Sequence, residues 1–168
     1  MRAYRRIQRS VRDKAITLKR LADILPKLKK QKKGIVFTNG CFDLLHYGHA
    51  KYLEVAKSKG DILVVGVNSD SSVKIIKGDK RPIIGERDRL NLIASLESVD
   101  FAVIFNQPTP LELIKKIRPD IIIKGADWVE DKIVGGNFVK SYGGRVLTIK
   151  LVKGLSTTNL IKKIAKAS

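Results

Sequence analysis

From Val11 onward the apolar positions Val11, Ala15, Leu18, Ala22, Leu25 and Leu28 recur at intervals of four and three, the spacing of a helix with one buried face. Thr17 is a candidate cap for a helix starting at Leu18, and Pro26 is expected to kink that helix or to open a second one. Beyond Gly34 the period changes, and short β-branched runs alternate with helical patterns. The pattern predicts strands over 35–38, 61–67, 101–105, 120–124 and 145–149. It predicts helices over 49–59, 86–97, 110–117 and 136–142, with a closing helix from Ser156. The run 61–67 is apolar on both faces, as in a parallel sheet covered on both sides. Five strands with helices between them predict an α/β architecture, a doubly wound five-stranded parallel sheet preceded by an extra N-terminal helix.

At 168 residues the chain is long enough for one well-buried domain and short for two. The expected organisation is a basic arm with its helix over 1–33, followed by a single α/β domain over 34–168. A hydrophobic share of 43% with 30% charged residues places the chain among globular proteins, not among disordered or fibrous ones. No apolar run approaches the length of a membrane span, and the Arg-rich start lacks the apolar core of a signal peptide, so the expected location is the cytoplasm. One cysteine, Cys41, cannot form an internal disulfide, and one Cys with two His argues against a tetrahedral zinc site.

The net charge of +18 alters this picture in one respect. Residues 1–34 hold 13 of the 34 Lys and Arg but 2 of the 16 Asp and Glu. A basic arm on a basic domain invites a nucleic-acid reading. No known nucleic-acid module is present, however, and aromatics for base stacking are scarce at 6%. A polyanionic nucleotide substrate and a solvated basic surface account for the excess equally well, and nucleic acid is not the expected partner.

The chemistry concentrates in residues 37–49, Phe-Thr-Asn-Gly-Cys-Phe-Asp-Leu-Leu-His-Tyr-Gly-His, which join a strand end, a turn and a helix start. Free N–H groups at a helix start favour anions, and His46 and His49 add donors on either side of Gly48. The reading is a phosphate-handling site. In open α/β sheets ligands sit outside the carboxyl ends of the strands. Three further loops belong at that edge: Asn68-Ser69-Asp70 with the run 77–82, Lys124-Gly125-Ala126-Asp127-Trp128, and Gly154-Leu155-Ser156-Thr157-Thr158. Each has a plain structural reading as well. Cys41 fits a small packed residue, Lys77, Lys80 and Arg81 fit solvated charges, and Ser156 fits a helix cap. Convergence on one edge favours function: a mobile phosphate clamp at 77–82, a phosphate-binding cap at 154–158, and base or acceptor contacts at 124–128.

His46-Tyr47-Gly48-His49 resembles the HxGH signature of the nucleotidylyltransferase superfamily. The longer stretch 38–46 is similar to one branch, the heptose 1-phosphate adenylyltransferases of lipopolysaccharide precursor synthesis. The similarity continues through Val67-Asn68-Ser69-Asp70, Lys77-Gly78, Arg81-Pro82, Lys124-Gly125-Ala126-Asp127 and Ser156-Thr157-Thr158-Asn159. That branch's GGD reads Gly125-Ala126-Asp127 here and its next Tyr reads Trp128; its Glu two positions before an arginine reads Arg87, with Glu86 displaced and Arg89 in place.

The resemblance implies a Rossmann-like nucleotidylyltransferase fold. It implies transfer of AMP from ATP to a sugar 1-phosphate, first of all D-glycero-β-D-manno-heptose 1-phosphate, by direct in-line attack. A transferase of the same fold acting on glycerol 3-phosphate with CTP, or on flavin mononucleotide with ATP, is the alternative. His46, His49 and Lys77 are implied as catalytic. Thr38, Asn39, Gly40, Cys41, Phe42, Gly48, Arg81, Arg89, Lys124, Asp127, Gly154, Leu155, Ser156, Thr157 and Thr158 are implied as nucleotide-binding. Mg²⁺ is implied, held mainly through the ATP phosphates, with Asp43 either touching it or, as we prefer, holding the turn. A homodimer is implied too, as is a separate heptose kinase, since the chain carries no kinase half.

Overall fold

Alternation within one strand decides the layers. In the computed structural model, which describes residues 9–150, 152 and 154–167, Ile35 and Phe37 enter one core and Val36 enters the other. They belong to β1 (Ile35–Gly40), the central strand of a five-stranded sheet. The others are β2 (Ile62–Asn68), β3 (Phe101–Phe105), β4 (Ile121–Gly125) and β5 (Arg145–Ile149), in spatial order β3-β2-β1-β4-β5 with every pairing parallel. Parallel strands need covered faces, and β-branched residues on both sides of β2 and β4 meet that need.

Helices supply the cover. On one face lie α2 (Leu18–Lys30), α6 (Leu111–Ile117) and α7 (Gly136–Lys140), contributing Leu21, Leu25, Leu113, Ile117 and Val139. On the other lie α3 (Tyr47–Lys57) and α5 (Glu86–Ser95), contributing Leu53, Ala56, Ile93 and Ala94. The doubly wound α/β fold expected from the pattern is the fold observed. Several ends differ from expectation: the helix over 49–59 runs Tyr47–Lys57, and that over 86–97 stops at Ser95.

The N-terminal helix is two pieces. Ser10 caps α1 (Val11–Lys14) in a capping box with Asp13. Extended backbone at Ala15 then pairs with Ala102 of β3, and Ile16 N–H donates to the Ala102 carbonyl. Thr17 caps α2 as expected, accepting from Arg20 N–H. The break falls at Ala15, not at Pro26, which sits inside α2. Leu21 before the proline and Leu25 beside it are both buried on the sheet, and that packing outweighs one missing N–H. Because Leu21 is fully buried among sheet and helix residues, Leu21→Ala should cost about 3 kcal/mol of stability in a urea titration. A change within a few tenths of that of a surface alanine variant would show that α2 is a detachable appendage.

One element was not expected at all. Helix α4 (Asp70–Lys77) follows β2, capped by the Ser69 hydroxyl, which accepts from Ser72 N–H, and ended by Gly78 in the left-handed region at φ 91°. The sequence pattern places 68–70 at a strand end and 77–82 in a loop, with no helix between them. Val73, Ile75 and Ile76 are β-branched, which masks a short helix. The remaining helix, α8 (Thr157–Ala167), closes the described chain.

Candidate active site

The chain leaves β1 toward β2 on one side, whereas β4 leads to β5 on the other, so β1 and β4 bracket the point where the winding reverses. A cleft of about 540 Å³ opens at their carboxyl ends. Lys124, next to the end of β4, spans the gap. Its ammonium donates to Asn39 Oδ1 at 2.5 Å and more weakly to the Asn39 carbonyl at 3.2 Å. Burial pushes Lys124 down to about 8, partly opposed by Cys41 and Asp127. Beneath it the Tyr52 hydroxyl donates to the Ile123 carbonyl at 3.0 Å and shares a 2.7 Å hydrogen bond with Thr38. These bonds stitch β1, α3 and β4 together at the floor.

His46 and His49 form one wall. Their rings stack with centroids 3.9 Å apart and planes 19° from parallel. His46 is the N-cap of α3 yet makes no side-chain cap bond, so the helix start keeps N–H groups for a ligand. Gly48 is required between them. A Cβ there would come within 3.0 Å of the His46 ring and 3.3 Å of Leu155 Cβ, so any larger residue displaces the imidazole or the closing loop. Phe42 turns edge-on to His49 at 5.4 Å, held in the left-handed region at φ 49°. Such a conformation costs a non-glycine residue on the order of 1 kcal/mol and points to a constraint at the site.

The electrostatics of the pair follow from the stacking. Two imidazolium ions at this separation would repel by about 4 kcal/mol at an effective dielectric of 20. Burial, then the His46 charge, push His49 down to about 4, and burial lowers His46 as well. Both rings are therefore neutral near pH 7 while the cleft holds no anion. Nδ1 of each is buried without a hydrogen-bond partner among the described residues. With those nitrogens enclosed, the groups this wall offers an anionic oxygen are the free N–H groups at the start of α3 and the outer edges of the two rings.

The loop 77–86 is held from below. Asp43 accepts from Arg81 Nε through Oδ2 and from the Ile83 and Ile84 N–H groups through Oδ1, at 2.8 and 2.9 Å. With three donors on a carboxylate that is 1% exposed, Asp43 is a tether for this loop. Arg89 is fully buried. It donates through Nε to the Ile84 carbonyl, through one amino nitrogen to the Cys41 carbonyl and through the other to Asp70 at 2.8 Å. Glu86 accepts from Asp70 N–H, which extends the network across the start of α5. The preferred reading has Asp43 holding its own turn; the hydrogen bonds it accepts come instead from residues 81–84 of the neighbouring loop.

Most of the implied residues meet around this cleft. His46, His49, Lys77, Asn39, Gly40, Cys41, Phe42, Gly48, Arg81, Lys124, Asp127, Leu155, Ser156, Thr157 and Thr158 all line it. Three do not. Arg89 lies under the loop with its donors spent on protein acceptors, so as it stands it positions the site and does not face a nucleotide. Thr38 is fully buried and bonded to Tyr52, and Gly154 sits in the turn ahead of α8 at φ 78°, outside the lining. Lys77 is the last residue of α4, not part of a free loop, and Lys80 does not reach the cleft.

Ser156 accepts from Asn159 N–H at 3.1 Å, so the expected cap exists and brings a second helix start to the same cleft. Burial raises the Cys41 thiol, which keeps it protonated and unsuited to nucleophilic attack. Trp128 is half exposed at the mouth with the Lys124 ammonium 5.5 Å from its ring centroid. Tyr52, Ile76, Pro108, Thr109, Pro110 and Val134, outside the implied set of site residues, also line the cleft. The 108–110 stretch lies between β3 and α6, at a strand's carboxyl end.

Among the described residues no three His, Cys, Asp or Glu side chains converge as a metal cage. The lining has two carboxylates, Asp43 and Asp127; the first is spent on the tether and the second is exposed. This donor set fits a cation that arrives on phosphate oxygens better than one held by the protein. No helix among the described residues is long and apolar enough to cross a membrane.

Comparison with known proteins is consistent with this geometry. The family model described as cytidylyltransferase-like matches residues 37–165. The bifunctional protein HldE of Geobacter sulfurreducens is 52% identical over 147 residues, which cover 88% of this chain and 30% of that protein. HldE of Methylobacillus flagellatus is also 52% identical, over 153 residues covering 91% and 31%. The chain thus spans about a third of the length of these curated relatives. A crystal structure of the lipopolysaccharide core biosynthesis protein from Thermoplasma volcanium superposes with a TM-score of 0.60 at 34% identity, covering 72% of this chain and 98% of that one. A cleft built on the HxGH turn, a matching family model over most of the chain and relatives above 50% identity lead to one conclusion: the protein belongs to the cytidylyltransferase-like family and is a nucleotidyltransferase.

Proposed function

We propose that the protein transfers AMP from ATP to a sugar 1-phosphate, D-glycero-β-D-manno-heptose 1-phosphate, releasing ADP-heptose and pyrophosphate. The observation that carries the transferase chemistry is the stacked, neutral His46–His49 pair at the uncapped start of α3, facing a cleft that also holds Lys77, Arg81 and Lys124. The sugar and the base rest on similarity to the HldE proteins and to a lipopolysaccharide core biosynthesis protein.

In the proposed reaction an oxygen of the acceptor's phosphate forms a bond to the α-phosphorus of ATP. The bond from that phosphorus to the α–β bridging oxygen breaks, and the electron pair leaves with pyrophosphate. The nucleophile is already anionic, so no general base and no covalent enzyme intermediate are needed. Catalysis then reduces to alignment and to stabilising charge that builds on the leaving oxygen. His46 and His49 donate to the phosphates, the α3 and α8 starts add their N–H groups, and Lys77 and Arg81 hold the β- and γ-phosphates. Mg²⁺ bound to the triphosphate oxygens supplies further neutralisation. Lys124 and Trp128, from the far side of the cleft, face the acceptor or the base.

Such an enzyme requires a kinase that makes the sugar 1-phosphate, and it is proposed to act as a homodimer. Pyrophosphate release, assayed with ATP and CTP against heptose 1-phosphate, glycerol 3-phosphate and flavin mononucleotide, tests the assignment. Turnover is expected with ATP and the heptose. Preferred turnover of CTP with glycerol 3-phosphate, or of ATP with the flavin, would replace it with the corresponding transferase.

A further inference from the structure

The catalytic cleft leaves much of the positive charge unexplained, and part of that charge is gathered at the opposite pole of the sheet. A second hollow, about 350 Å³, lies at the amino ends of the same two strands, β1 and β4. Lys29 near the end of α2, Lys32 and Lys33 in the turn that follows, and Arg118 after α6 line it, with Asp120 and Tyr142. Four cations thus face one carboxylate, and Asp120 already accepts from Ile35 N–H at 2.7 Å.

The ordinary explanation is that lysines and arginines gather at helix carboxyl ends to offset their partial negative charge. It falls short here. Two helix ends supply about one negative charge between them, which with Asp120 leaves the hollow cationic. Lys29 and Lys32 have no ion-pair partner among the described residues, and Lys33 has only a 3.9 Å approach to Asp61. Partial burial lowers the Lys29 ammonium, with the Arg118 charge adding to it and Asp120 opposing it. Arg118 is aimed as well as charged. Its guanidinium lies 4.4 Å from the Tyr142 ring centroid and 5.6 Å from that of Phe138. Tyr142 is itself fixed by donating to the Pro119 carbonyl at 2.8 Å. A guanidinium stacked on a tethered ring is held in one plane, with edge donors left for an oxyanion.

We propose that this hollow is a binding site for a diphosphate group, separate from the catalytic cleft and at the other end of strands β1 and β4. Two linked phosphates reach more of its donors than a single phosphate group can, since the four cations come from the end of α2, the turn after it and the residue that ends α6. Free pyrophosphate and the diphosphate of ADP present the same chemistry, and the two can be told apart by experiment.

The test is calorimetric titration of the full chain with inorganic pyrophosphate and, separately, with ADP. The wild-type protein is compared with the double variant Lys29→Gln/Lys32→Asn and with the cleft variant His49→Ala. Asn tolerates the left-handed backbone that Lys32 adopts at φ 54°, and both replaced side chains are exposed, so the fold should persist. Pyrophosphate is expected to bind at two sites on the wild type. In the double variant one site should weaken by on the order of tenfold or more, with KM for ATP unchanged. In His49→Ala that same site should keep its wild-type affinity. A second ADP site on the wild type that is lost in the double variant would identify a nucleotide diphosphate as ligand; its absence from both would identify the free anion. A single pyrophosphate site on the wild type, or two sites unaltered in the double variant, overturns the proposal. So does sulfate binding, equal to that of pyrophosphate, at the site the double variant weakens, because that is nonspecific attraction.

Discussion

Replacing His49 with alanine is expected to lower kcat by on the order of 10²–10³ while the protein stays folded, the range for losing one well-aimed donor to a developing negative charge. The ring contributes packing as well as donation, through its stack on His46 and its edge contact with Phe42, so circular dichroism should accompany the kinetics. The same variant carries a pH signature. In the folded chain His49 is pushed down to about 4 from an ordinary 6.5, so on acidification the unfolded chain takes up a proton first. Stability is therefore lost as pH falls from 6.5 towards 4, by at most about 3 kcal/mol and less on the side open to solvent. His49→Ala has no such ring to protonate, and its melting temperature should decline less than that of the wild type across that window. Unchanged turnover in the variant would remove His49 from the catalytic set. Parallel melting curves against pH would show that the imidazole is not held neutral.

Arg89→Ala should be the most damaging substitution outside the cleft lining. It removes a fully buried guanidinium that serves three acceptors drawn from Cys41, Ile84 and Asp70. Two carbonyls lose their donors inside the protein, while Asp70, 40% exposed, can turn to water. A loss of about 3 kcal/mol is expected in urea unfolding, together with a large fall in kcat because Cys41 and the 81–84 loop lose their common anchor. Arg89→Lys should rescue little, since one ammonium cannot span three diverging acceptors. A stable Arg89→Ala protein with impaired ATP binding alone would instead place Arg89 in contact with the nucleotide.

How far the sequence revealed these features depended on whether the signal was local. The strands at 101–105 and 145–149 have the bounds expected, because each is a short β-branched run flanked by polar residues. The HxGH turn was legible because a strand end, Gly48 and two histidines are contiguous. Helix α4 was not, since Val73, Ile75 and Ile76 favour extended backbone and only the cap at Ser69 and the stop at Gly78 spoke for a helix. The burial of Arg89 was hidden for a different reason. In sequence it is one cation among 34 Lys and Arg. Its burial depends on acceptors from three separate segments, none of which is implied by its neighbours. The same holds for Asp43, whose carboxylate accepts from N–H groups forty positions away.

The contact between Gly48 and Leu155 has a consequence for how activity is acquired. The histidine turn is laid down early in synthesis, whereas the loop that covers it comes about a hundred residues later, so the site depends on one of the longest loop closures in the fold. The sheet and both its cores are complete by β5, before that loop is reached. A chain emerging from the ribosome can therefore be folded in every layer and still be unable to enclose a nucleotide, which makes competence, and not compactness, the final event of its assembly.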